Sequence, residues 1–199
     1  MRTAALVAGL ATFAVSSLLL AGCAEETAPL ASSAPAQGER YAAHGVTIEL
    51  PPGWQHAPGP LTPTLTDPRE VLAVATYPLR YRPTRCAYLP GSALEDLGPQ
   101  DSFVTVLERG RNPSSSWPDF PPRPAHFGPE LGGPSEAAAS EPDARFADHW
   151  FGFSDGARHF HVLVAFGPTA SAATQTQTWA ILDSLQVDPT VLPDWPSSG

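Results

Sequence analysis

The chain has 199 residues, with 20 acidic against 11 basic side chains and a formal net charge of -9. All the basic residues are arginine and acids outnumber them nearly two to one, so there is no basic patch to neutralise nucleic-acid phosphates or an anionic lipid surface; composition argues against recognition of nucleic acid.

In chain order, the first 22 residues have the layout of an export leader: Arg2, then an uncharged apolar run from Ala4 to Leu20, then small residues before Cys23. Leu20-Ala21-Gly22-Cys23 resembles a bacterial lipobox. That resemblance implies removal of residues 1–22, lipidation of Cys23, and attachment to the extracytoplasmic face of the cell membrane through N-terminal acyl chains. Residues 23–40 are rich in Ala, Ser, Pro and Glu with Leu30 as their one large aliphatic, which predicts a flexible tether. Cys86 is then left without an internal disulfide partner, and it reads as a packed small hydrophobe or a lone thiol.

Residues 41–189 are the size of one domain. Val46, Ile48 and Leu50 alternate with Thr47 and Glu49 as in a half-buried strand, which Pro51-Pro52-Gly53 ends before Trp54. A second strand is predicted over 71–77. Ser92-Ala93-Leu94-Glu95 has the capping-box form, predicting a short helix to Leu97, and a third strand follows over 103–108. The insertion 110–142 is proline-rich and irregular, and its Trp117, Phe120 and Phe127 point to partial packing onto the domain.

Two aromatic-rich strands flank Ser154-Asp155-Gly156-Ala157, a hairpin pattern. With Asp155-Gly156 as the loop, Phe151 falls opposite Phe160, His149 opposite Val162, and Ala147 opposite Val164. On the other face, Gly152 meets His159, Trp150 meets His161, and Asp148 meets Leu163. Residues 171–185 space Thr178, Ile181, Leu182 and Leu185 on one face of a closing helix. Asp188-Pro189 ends the ordered region, and 190–199 reads as a loose tail whose one candidate for docking is Trp195.

His159 and His161 share a strand face, as a metal pair would require, with Asp148 as the nearest third ligand. The competing reading packs His161 on Trp150, bonds it to Asp148, and places His159 over Gly152. Asp148 and His161 with some serine form an imaginable triad, but no nucleophile elbow, phosphate loop, dinucleotide fingerprint or calcium loop is present. The expectation is no catalytic residue, no metal and no cofactor, with Trp117, Trp150, His159 and His161 as candidate binding residues.

Val46-Thr47-Ile48-Glu49-Leu50-Pro51-Pro52-Gly53-Trp54 and the closing Ile181-Leu182-Asp183-Ser184-Leu185-Gln186-Val187 resemble the PsbP-like domains of actinobacterial surface lipoproteins of the LpqN type. The resemblance covers the ends of the domain. It implies an α+β fold, an antiparallel sheet flanked by helices in a PsbP-like α/β/α sandwich, and a noncatalytic role in binding or assembly. The expected function is a lipid-anchored lipoprotein that binds an envelope protein or other envelope component. The alternative is a carrier of an apolar or glycan small molecule, motivated by Trp117 and Trp150; a metal-dependent enzyme on His159 and His161 ranks below both. The lipobox is directly testable: Cys23→Ala should leave the precursor unlipidated and uncleaved, and normal membrane anchoring of that variant would refute it.

Overall fold

The structure, a computed structural model, describes residues 38–83, 89–110, 119–135 and 146–191. The leader, Cys23, Cys86, Trp117 and Trp195 lie outside the described residues. No helix among those residues is long and apolar enough to cross a membrane.

β1 (Glu39–Ala43) and β2 (Val46–Leu50) form a hairpin turned by His44 and Gly45, whose φ angles of 51° and 72° both lie in the left-handed region, as a tight primed turn demands. Glycine is needed at 45 for space as well, because a Cβ there would come within 2.6 Å of Val191. Val46, Ile48 and Leu50 are buried as their alternation predicts, and the Trp54 N–H donates to the Pro51 carbonyl where the strand stops. There follow β3 (Gln55–His56), β4 (Arg69–Ala75), α1 (Gly91–Asp96), β5 (Ser102–Arg109), β6 (Ala147–Asp155), β7 (Arg158–Phe166), α2 (Ala172–Asp183) and β8 (Gln186–Val187).

Every strand pair is antiparallel. One sheet runs β1-β2-β8 and the other β3-β4-β5-β7-β6. Period-2 alternation gives the larger sheet two apolar faces. Val104, Val106, Val162 and Val164 pack under β2 and under Ile181 and Leu182 of α2, whereas Phe103, Leu163 and Ala165 pack with Ala93 of α1 on the opposite face. The fold is therefore α+β, with antiparallel sheet flanked by helices. Three threonines in α2 cost up to about 0.7 kcal/mol each in propensity. Burying Ile181 and Leu182 returns about 1.5–3 kcal/mol apiece, so packing decides that this segment is helical. Its start is capped by Ser171, whose Oγ accepts from the Thr174 N–H.

Three features depart from expectation. Ser92 does not cap α1: the cap position is Pro90, whose carbonyl takes the N–H groups of Ala93 and Leu94, and Ser92 is the second residue of the helix with its side chain buried. The β6–β7 loop is Gly156-Ala157 rather than Asp155-Gly156. Gly156 (φ 59°) takes the first loop position, and Asp155 stays in the strand opposite Arg158. Each predicted partner therefore moves by two, to Phe153 opposite Phe160, Phe151 opposite Val162 and Gly152 opposite His161, while every side chain keeps its face. Finally, β1 takes in Glu39 and Arg40, two residues placed in the expected tether, because β2 offers them a partner.

The described part of the insertion, 119–135, folds over the edge of β6. Phe127 is in the main core against Phe153, with ring centroids 5.3 Å apart, and the chain bridges β6 at Pro122 with Ser154 and at Gly133 with Trp150.

At one end of the core, Arg158 and Glu108 are 5% and 1% exposed. Arg158 Nε donates to Glu108 Oε1 at 2.6 Å and its Nη2 to Oε2 at 2.9 Å, and the guanidinium also donates to the carbonyls of His44 and Gly45 at 2.9 and 3.2 Å. Glu108→Ala would leave that guanidinium buried without its counter-charge. It should lower stability by about 3–5 kcal/mol in urea unfolding. A loss below about 1 kcal/mol would show that the pair does not hold the turn to the sheet.

Candidate functional site

Strand alternation puts Trp150, Gly152, His159 and His161 on one face of β6 and β7, as the sequence predicts, and Arg109 of β5 joins them opposite His159. His161 is buried and stacks on Trp150, with ring centroids 5.0 Å apart and planes 17° from parallel. That stacking is one of the two arrangements foreseen for it. The rest of that arrangement is different, because the register moves Asp148 away.

Asp148 sits opposite Ala165, four residues along β6 from Gly152, the partner of His161. At a rise of about 3.3 Å per residue that is a separation of about 13 Å along the strand, too far for direct contact. The Asp148 carboxylate instead accepts the Ser135 backbone N–H at 3.0 Å. The imagined triad and the three-ligand metal site both needed Asp148 beside His161, and the geometry gives neither. Among the described residues no group of three or more His, Cys, Asp or Glu side chains is placed to hold a metal ion.

Nor does His159 cover Gly152. Phe120 of the insertion does: a Cβ on Gly152 would lie 2.1 Å from the Phe120 ring, so only glycine leaves room for it. The ring meets His161 edge-on at 4.7 Å between centroids and tilts against His159 at 5.8 Å, filling the space that both imidazoles face. His159 is half-buried, and its Nδ1 is enclosed without a hydrogen-bond partner among the described residues. Phe120 was legible as an aromatic that should pack. Its seat was signalled by a glycine in the middle of an aromatic strand, a mark of close approach by another group.

The electrostatics follow from this burial. Removal from water pushes the His161 pKa down to about 4, and the positive charge of Arg109 adds to the effect. Arg109 is itself lowered by burial, partly offset by Asp67, whose Oδ1 is 3.9 Å from its Nε. A histidine in this state is neutral across the physiological range and too weakly basic to accept a proton efficiently near pH 7. Trp117, expected to join Trp150, lies outside the described residues.

No family model, no curated protein and no solved structure matches this chain.

His161 takes up its proton near pH 6.5 when unfolded and near pH 4 when folded, so its contribution to stability is complete above about pH 6.5 and is lost as pH falls towards 4. The loss is on the order of 3 kcal/mol. His161→Phe, which keeps a ring against Trp150, should lose that much less stability over this interval. Equal pH dependence of denaturant unfolding in the two proteins would overturn the assignment.

Proposed function

We propose that this protein is a lipid-anchored, noncatalytic binding protein of the extracytoplasmic face of the cell membrane, attached through an acylated Cys23 and engaging a protein of the envelope. The observation that carries the binding reading is the use to which the chemistry-bearing side chains are put. His161 is neutral and enclosed by Trp150 and Phe120, and Asp148 is engaged by Ser135, so the polar groups of this face hold the insertion rather than face a substrate. The two stretches that carry the PsbP-like resemblance lie side by side. Val46 of β2 lies opposite Val187 of β8, and the Glu49 N–H donates to Ser184 Oγ at 2.9 Å.

The test is capture of the partner by the full-length lipoprotein in its native membrane. The chain has no lysine, so amine-directed reagents find no side chain on it, and the crosslinker must be photoreactive or carboxylate-directed. One reproducible envelope protein should be recovered. Recovery of none, or substrate turnover abolished by a single point substitution, would overturn the proposal.

A further inference from the structure

The insertion treats the β6 edge as a peptide would. Phe120 fills the slot over Gly152, then Pro121 and Pro122 run along the edge at Ser154. The Ser154 N–H donates to the Pro121 carbonyl at 2.7 Å, Ser154 Oγ donates to the carbonyls of Phe120 and Pro121, and the Arg123 N–H donates back to the Ser154 carbonyl at 2.8 Å. Arg123 Nη1 then reaches Asp155 Oδ2 at 3.2 Å, and its Nη2 the Asp183 carbonyl at 3.4 Å. An aromatic anchor in a slot, main-chain bonds to a strand edge and a charged end contact are the elements of extended-peptide recognition, and proline segments suit it because they are extended before they bind. Prolines also have no N–H to leave unsatisfied on the solvent side.

The anchoring is uneven. Phe120 is only half-buried, whereas Phe127, on the opposite face of the sheet, is 5% exposed in the core. The segment 119–123 is thus attached at a sheet edge, while Phe127 fixes the rest of the described insertion.

We propose that the Gly152 slot and the adjoining β6 edge form a binding groove for an extended segment of aromatic-Pro-Pro-basic character on a partner protein, and that residues 119–123 occupy it in the resting protein as an internal competitor. The negative charge of the protein and the carboxylate of Asp155 favour the basic end of such a segment. This inference deepens the binding reading above and rests on it. A tethered competitor acts at an effective concentration in the millimolar range, so a free peptide gains access only when Phe120 is removed or a partner supplies a stronger segment.

The test uses the full chain and a labelled synthetic peptide with the sequence of residues 118–124, followed by fluorescence polarisation. Phe120→Ala should bind the peptide saturably and at least about tenfold more tightly than the wild type. Replacing the phenylalanine of the peptide by alanine, or adding Gly152→Ala to the Phe120→Ala protein to fill the slot, should weaken binding by about tenfold. A folded Phe120→Ala protein that binds no peptide, or binds both peptides equally, overturns the groove. If Phe120→Ala does not unfold cooperatively, Arg123→Ala serves instead, since it keeps the ring and cuts its tie to Asp155; excess peptide should bind this variant more tightly than the wild type, and failure to do so is equally decisive. Loss of the groove with an envelope partner still captured would leave the binding reading standing. Peptide binding with no partner captured would do the reverse.

Discussion

Glu108 and Arg158 meet where neither charge reaches water, and each is compensated by the other, the guanidinium also by main-chain carbonyls. Taking either ion out of water costs several kcal/mol, which is repaid only when geometry and hydrogen bonding are good. Here the carboxylate receives two N–H groups from one guanidinium, and the remaining donors of that guanidinium go to the carbonyls of His44, Gly45 and Asp188. The β1–β2 turn, the residue after β8 and the central strands β5 and β7 therefore share a single cation. The guanidinium lies 5.2 Å from the centroid of the Phe160 ring, so the same residue that ties the two sheets together also seals the end of the core.

A second constraint is the treatment of strand edges. β6 is the last strand of the larger sheet, and an exposed edge invites pairing with other chains. The insertion covers it at Trp150 and Ser154, with prolines at 121 and 122. The segment crosses from one face of the sheet to the other: Phe120 lies on the side of His161, Phe127 on the side of Phe153. Covering an edge and presenting a replaceable ligand are compatible uses of one segment, because both depend on the same main-chain groups of β6.

The periodic parts of the fold were legible because their signals are local. Val46, Ile48 and Leu50 declare a face by alternation, and Thr178, Ile181, Leu182 and Leu185 by helical spacing; all are buried. The β6–β7 faces were readable for the same reason, and the register was not, since it turned on whether Asp155 or Gly156 opened the loop. β1 has no alternation of its own and is a strand because β2 lies beside it, while β3 and β8 are two residues each, too short for any period to appear. The candidate site was half legible. His161 and Trp150 were found from alternation and their stacking foreseen, but Phe120 reaches Gly152 across 32 positions that include a segment without pattern. Glu108 and Arg158 carry no signal in the sequence, because charged residues at strand ends ordinarily face water, and only the pairing of β5 with β7 buries these two together.

The smaller sheet joins residues far apart in the chain. Glu49 and Ser184, bonded across it, are 135 positions distant, and β2 has β8 on one side and β1 on the other. Contacts of such separation are slow to form, since the loop they close must be ordered first. On a ribosome or in a translocation channel, the hairpin of β1 and β2 emerges long before α2 and β8. Until those last residues arrive, Val46, Ile48 and Leu50 lack the part of their cover that Ile181, Leu182 and Leu185 supply. The nascent chain therefore carries an incompletely covered apolar strand near its front until α2 and β8 have been made, and the hairpin is completed by residues synthesised more than a hundred positions later.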